Sequence, residues 1–223
     1  NDPPLAATET DTTYVALEEI VKADIITLHV PLTKTGDYPT QQLINKQFLD
    51  YLKEDVILIN TSRGEVIDES SMIQFKQTKP DATLILDVWC HEPLINLELL
   101  EQTLIATPHI AGYSLDGKIK ASMMLLEALT TFIDCEPETN DLNGLKNQQN
   151  RIELEEDSVH IRSDAVALRN LMTLPEQEHA DYFDSLRKNY PVRREFTTRK
   201  IKSNTMTKQT AYILENLGFK LDI

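Results

Sequence analysis

Cysteine is scarce: only Cys90 and Cys135 occur in 223 residues. Two cysteines exclude a disulfide scaffold, offer no metal-ligand spacing, and suit a reducing compartment such as the cytoplasm. Positive charge is short as well. Lysine and arginine total 22 against 36 aspartates and glutamates, a formal net charge of −14. Such a surface repels a phosphate backbone, so a nucleic-acid partner is not expected. No apolar run approaches the roughly 20 residues a bilayer helix needs, and no basic start leads into a greasy stretch, so neither membrane nor secretory signal is expected. Glycine numbers only six, and no Gly-x-Gly-x-x-Gly turn occurs anywhere. No internal repeat or low-complexity tract is visible.

What remains is ordinary for a globular protein, with 41% hydrophobic and 26% charged residues. In the first half, short β-branched or leucine-rich runs alternate with helical patterns. Residues 23–30, 56–61, 82–88 and 104–107 read as strands apolar on both faces, as in a parallel sheet covered by helices. Helices are expected over 45–53, 68–77 and 94–102, with Asp68 as an N-cap whose carboxylate accepts from first-turn amides. Alternating strand and helix predicts a doubly wound, Rossmann-like α/β layer, whose ligand crevice lies at the carboxyl ends of the strands. Residues 1–117 are assigned to that domain. A helix over 117–133 follows, with Ile119, Met123, Leu126, Leu129 and Ile133 on one stripe and its two methionines expected to fill core. The acidic, aperiodic stretch 134–158 reads as a linker. Beyond it, 159–223 forms a small α+β unit: a strand near 159–162, helices over 164–174 and 178–189, a strand near 195–202, a helix over 207–216, a stop at Gly218 and a strand over 219–221. At about 65 residues this unit is near the lower limit of independent stability, which suggests packing on a second copy.

Three side chains carry the chemistry. Arg63 lies in Asn60-Thr61-Ser62-Arg63-Gly64, Glu92 stands 29 positions later, and His109 follows 17 beyond in Thr107-Pro108-His109-Ile110-Ala111-Gly112. A guanidinium directly after an apolar strand can grip a carboxylate with two parallel hydrogen bonds and polarise the adjacent carbonyl. An imidazole can accept a hydroxyl proton as hydride leaves the same carbon, and return it in reverse. A neighbouring carboxylate would fix that ring's orientation. Asp87 ends an apolar strand, a costly place for a carboxylate unless a nicotinamide or an adjacent turn bonds it. Gly112 allows close approach of a ligand to backbone. Asp2 stands where an acid after the second strand of a dinucleotide-binding unit accepts from ribose hydroxyls. The chain begins Asn1-Asp2-Pro3-Pro4, like the end of a strand in mid-fold. A missing N-terminal part is therefore expected to hold the glycine-rich phosphate loop, about 20 residues before Asp2, and this polypeptide alone is expected to be inactive. His29 is assigned to backbone geometry; His91, His160 and His179 are given no role. A basic cluster, Arg187, Lys188, Arg193, Arg194, Arg199, Lys200 and Lys202 with only Glu195 between, either attracts an anionic substrate or forms a solvated or interface face.

The segments NDPP, ADIITLHVPL, LINTSRGEVID, LDVWCHEP and TPHIAGYSLDGK together resemble the D-isomer-specific 2-hydroxyacid dehydrogenase family. That resemblance implies NAD as cofactor, Arg63 and Glu92 as the active-site arginine and glutamate, and His109 as proton donor. It places Asp2, Val30, Thr61, Ser62, Arg63, Asp87 and Gly112 at cofactor positions and Tyr113 at a substrate position. Val30 departs from the threonine often found there, leaving only backbone or packing contact. It further implies that residues 118–133 return to a catalytic domain and that the C-terminal unit makes a homodimer. Tyr113 and the stretch from Phe183 to Glu195 point to a member acting on a phosphorylated four-carbon hydroxy acid in vitamin B6 biosynthesis. Glycerate or 3-phosphoglycerate as substrate is the enzymatic alternative, and an NAD-sensing regulator without turnover is the non-enzymatic one.

Overall fold

The computed structural model describes residues 1–9, 14–134, 161–195, 200–202, 208–216 and 220–222. They form two compact units, one from 1–111 with 159–189 and the other from 112–158 with 190–223.

The first unit holds a parallel sheet of β1 (Ile25–Leu28), β2 (Ile57–Asn60), β3 (Thr83–Leu86) and β4 (Ile105–Ala106), hydrogen-bonded in that order. Register runs Ile25 to Ile57 to Thr83, and Asn60 to Leu86 to Ala106, so the strand ends align along one edge of the layer. All four sit where the apolar runs predict, each trimmed at its ends. Burial alternates: Leu58, Leu84 and Leu86 are fully enclosed, whereas Ile57, Ile59 and Ile85 are half-buried. Both faces carry apolar side chains as expected, one more enclosed than the other, and Ile25 on the outer strand is 58% exposed.

Short helices connect the strands. Before β1 lie α1 (Pro3–Ala6) and α2 (Leu17–Ile20); between strands run α3 (Lys46–Asp50), α4 (Glu69–Thr78) and α5 (Leu97–Gln102). Side-chain caps set several starts. Asn45 accepts from the Phe48 amide at 3.1 Å, and Asn96 from the Glu98 amide at 2.9 Å, satisfying donors that have no partner inside the helix. Asn96 therefore begins α5 three residues later than the apolar pattern suggests. Asp68 is the N-cap residue of α4 as expected, but its carboxylate takes the hydroxyls of Ser70 and Ser71, each at 2.8 Å, instead of a first-turn amide. The Ser71 hydroxyl is the main influence holding that carboxyl below its ordinary range, against burial, which pushes it up.

Chain from the C-terminal third joins this core. Helices α7 (Ile161–Arg169) and α8 (His179–Lys188) belong to the first unit, with Leu168, Leu171 and Phe183 fully buried in the same cluster as Leu84 and Leu100. Arg169 donates to the Thr103 carbonyl just before β4. The compact units therefore divide the chain differently from the sequence boundaries at 117, 133 and 158. Apolar side chains on α7 and α8 find partners on the sheet layer, and hydropathy along the chain does not reveal such partners. Ile161 and Arg162, expected in a strand, form the first turn of α7; the rest of that strand, the linker residues 135–158, Gly218 and Phe219 lie outside the described residues. Expected helix 164–174 ends at Arg169 and continues as a 3-10 turn over Asn170–Thr173.

In the second unit, α6 (Leu115–Phe132) starts two residues before its predicted Gly117 because the Ser114 hydroxyl caps the Gly117 amide at 3.0 Å. Its stripe is only partly enclosed: Ile119 is buried, Met123 and Leu126 are half-buried, and Leu129 and Ile133 are exposed. Met124 is exposed too, which corrects the reading of both methionines as core. Strands β5 (Lys200–Lys202) and β6 (Lys220–Asp222) pair in parallel, with α9 (Lys208–Asn216) between them in the chain, matching the expected strand–helix–strand order.

Candidate active site

β2 ends at Asn60, β3 at Leu86 and β4 at Ala106, and the chemistry-bearing residues follow these carboxyl ends. Asn60 is fully buried and organises the first turn. Its amide donates to the Arg63 carbonyl at 2.9 Å, while its Oδ1 accepts from the Ser62 amide at 3.0 Å and the Ser62 hydroxyl at 2.8 Å. Arg63 follows with extended backbone and an exposed side chain, one Nη donating to the Ser62 carbonyl at 2.6 Å. Thr61 beside it is half-buried and Ser62 buried.

Gly64 explains why this turn can lie against the next one. A Cβ there would stand 2.0 Å from the Trp89 carbonyl carbon and 2.4 Å from the Cys90 nitrogen, well inside contact distance. Only glycine permits that approach. It sets the Arg63 turn directly on the backbone that leads to Glu92.

Glu92 and His109 meet. His109 Nδ1 lies 2.8 Å from Glu92 Oε2, and Glu92 Oε1 accepts from the Trp89 amide at 2.9 Å. Both side chains are partly shielded, at 32% and 18% exposure. Trp89 is itself fastened, its indole donating to the Thr107 carbonyl at 3.0 Å. A carboxylate held by a backbone amide on one oxygen and by the imidazole on the other orients the ring and favours a proton on Nδ1. Nε2 is then the ring nitrogen that this contact leaves uncommitted.

Asp87 is buried and pins the turn that carries His109. Its carboxylate accepts from the Thr107 hydroxyl, the Ile110 amide at 2.8 Å and the Ala111 amide at 2.9 Å, while its carbonyl accepts from the His109 amide at 2.7 Å. His109 itself occupies the left-handed region, φ 57°, a conformation uncommon for a non-glycine residue and maintained here by these four bonds. Of the two partners anticipated for this carboxylate, the adjacent turn supplies the bonds present. Cys90, next to Trp89, is buried, and burial pushes its thiol up to about 12, which makes it unreactive as a nucleophile.

The structure thus joins Arg63, Asp87, Glu92 and His109 through contiguous turns of one unit. The remaining predicted residues stand apart from that bonding. Asp2 caps α1, accepting from the Leu5 amide at 3.1 Å, and Val30 packs half-buried against the core. Gly112 and Tyr113 open the second unit; nothing lies within 4 Å of where a Gly112 side chain would begin. Asn60, Gly64 and Trp89 position this site without being among the residues the sequence predicts for it, although an asparagine ending an apolar strand and a glycine after the arginine are visible in the sequence. A cavity of about 490 Å³, lined by Leu17, Val21, Leu43, Phe48 and Tyr51 among others, includes none of these residues.

Residues 2–111 match the family model described as D-isomer specific 2-hydroxyacid dehydrogenase, NAD binding domain. Residues 135–218 match a second one, described only as a domain of unknown function. Among curated proteins, an erythronate-4-phosphate dehydrogenase of Marinobacter nauticus is 36% identical across 100% of this chain and 62% of its own length. One from Bacteroides fragilis is 41% identical over 87% of this chain and 56% of its own. The chain therefore spans about three fifths of the length of the curated relatives it matches. Among solved structures, a D-lactate dehydrogenase from Aquifex aeolicus complexed with NAD and lactic acid is 31% identical at a TM-score of 0.46, covering 55% of this chain and 41% of that one.

Proposed function

The chain belongs to the D-isomer-specific 2-hydroxyacid dehydrogenase family, and on that premise we propose that it serves the NAD-dependent oxidation of 4-phospho-D-erythronate to 2-oxo-3-hydroxy-4-phosphobutanoate, a step of pyridoxine (vitamin B6) biosynthesis. The relatives' shared name supports the substrate. The chemistry rests on one observation, the 2.8 Å contact of His109 Nδ1 with Glu92 in a turn pinned by Asp87.

The residues fit an NAD partner on its nicotinamide side. The Thr61–Arg63 turn and the Asp87 turn lie at neighbouring strand ends, and Gly112 leaves open the space a side chain would fill. Asp2, Val30, Thr61, Ser62, Arg63, Asp87 and Gly112 would hold the cofactor, with Val30 limited to backbone and packing contact. When bound, NAD supplies the acceptor for the hydride leaving C2 of the substrate. Arg63 grips the substrate carboxylate through paired N–H donors and polarises the carbonyl that forms beside it. His109 Nε2 takes the hydroxyl proton, and Glu92 compensates the positive charge the ring acquires. Tyr113 contacts the substrate. We also infer a cytoplasmic protein, consistent with two cysteines and with no helix among the described residues long and apolar enough to cross a membrane. A homodimer through the C-terminal third is inferred from the small size of that segment.

The deciding experiment is His109→Ala in the intact enzyme, assayed by steady-state oxidation of 4-phospho-D-erythronate and by titration with NADH. Turnover falls by about two to four powers of ten while NADH affinity stays unchanged. Equal loss of turnover and NADH affinity would instead assign His109 a structural role and end the proton-transfer reading.

A further inference from the structure

The hydrogen bonds around His109 close on themselves. Its Nδ1 meets Glu92 Oε2 at 2.8 Å, and Glu92 Oε1 accepts from the Trp89 amide at 2.9 Å. The Trp89 indole donates to the Thr107 carbonyl at 3.0 Å, and the Thr107 hydroxyl donates to Asp87 Oδ1. The Asp87 carbonyl then accepts from the His109 amide at 2.7 Å, which completes the circuit. All of it lies within the first unit, in the turns that follow β3 and β4.

Thr107 is where the two halves of this circuit join. Its carbonyl takes the Trp89 side and its hydroxyl the Asp87 side. Its own amide donates to the Leu86 carbonyl at 3.0 Å and keeps it in register with β3. Trp89 is 2% exposed and Asp87 4%, so neither exchanges its partner for water without cost. Without the hydroxyl, the Asp87 carboxylate keeps the Ile110 and Ala111 amides, and the turn that holds His109 at φ 57° loses one of its ties. A closed circuit resists displacement of any member, because each bond fixes the direction of the next. Opened at one point, it leaves the Glu92–His109 contact to a carboxylate and a ring that turn on their own bonds.

We propose that Thr107 is a positioning residue for the proton transfer assigned to His109. By closing the circuit it holds the imidazole in the tautomer protonated on Nδ1 and leaves Nε2 to take the hydroxyl proton. This rests on the function proposed above. The tautomer is measured without turnover, so the two readings can fail separately.

Two measurements test the role. Imidazole proton–nitrogen correlation spectra of the chain with isotope-labelled histidine are recorded at alkaline pH, where imidazoles are neutral, and His109→Ala identifies the His109 signal. The parent shows the Nδ1-protonated tautomer. Thr107→Val and Trp89→Phe, which open the circuit at different bonds, each show a mixture, and Thr107→Ser keeps the parental form. In the intact enzyme, Thr107→Val lowers kcat about tenfold with KM for 4-phospho-D-erythronate and NADH affinity unchanged, and Thr107→Ser restores most of the loss. A parent without the Nδ1-protonated tautomer, or a Thr107→Val variant that retains it, overturns the proposal. So does a loss of kcat that serine does not restore, or one matched by a rise in KM. Turnover that survives Thr107→Val also overturns the role of Thr107; His109→Ala then decides the rest, since its loss of turnover keeps the proton-transfer reading and parental turnover removes that reading too.

Discussion

At Gly64 the contact is with backbone, and backbone cannot swing aside as a side chain does. A methyl group 2.0 Å from the Trp89 carbonyl carbon must push two turns apart. Gly64→Ala is therefore expected to cost about 3 kcal/mol or somewhat more and to separate Arg63 from the turn that carries Glu92. A urea melt together with turnover measures both effects, and a variant with parental stability and activity would show that the close approach is not needed. The same scale shows what was legible. Arg63, Glu92 and His109 stand out as candidates in the sequence because each is a chemically distinctive side chain shortly after an apolar run. Asn60 and Trp89 do not, because their part is to hold other residues: a buried amide bonding Arg63 and Ser62, and an indole fastened to Thr107. The partner of Asp87 stayed open until Thr107, Ile110 and Ala111 were seen around it.

Helix starts illustrate how elements are set by single polar groups. Asn45, Asn96 and Ser114 each offer an oxygen to an amide that the helix leaves without a partner, and each fixes a boundary that hydrophobic spacing leaves loose by one to three residues. At α4 the cap works through hydroxyls. Since the Asp68 carboxyl lies below its ordinary value of 3.8 in the fold, its stabilisation is present above that value and disappears as pH falls through the depressed one. Ser71→Ala should lower stability by no more than about 1 kcal/mol near neutral pH, the limit reflecting partial exposure. Chemical denaturation from pH 7 to pH 2 should show the gap between variant and parent closing below pH about 4. A gap constant over that range would mean that Ser71 stabilises α4 by packing alone. Strand positions were legible from β-branched runs, whereas the start of α7 at Ile161 was not, because a few apolar residues carry no clear period.

For the whole molecule, the division of the chain is the informative result. Phe183 is fully buried in the core that contains the sheet, 72 residues after that unit's first segment ends at Ala111. Phe183→Ala should cost roughly 3 to 5 kcal/mol and lower the unfolding transition of the sheet unit itself. Trp89 is the only tryptophan and is buried in that unit, so its fluorescence reports the transition directly. An unchanged Trp89 transition, with loss of helix signal alone, would detach α7 and α8 from the sheet. The exposed apolar side of α6, with Leu125 at 73% and Phe132 at 88%, is the counterpart: a helix pattern in sequence identifies an apolar stripe without saying how much of it is covered.

By itself the order of residues determined the strand–helix alternation, the parallel class of the sheet and the choice of three candidate side chains, because hydrophobic period and side-chain chemistry are local properties. Tertiary structure decided that Glu92 touches His109, that Gly64 lies on Trp89, that Thr107 ties Asp87 to Trp89, and that α7 and α8 join the sheet. Each of these is a contact between residues distant in the chain. Such contacts depend on which surfaces burial brings together, and that is a property of the packed molecule.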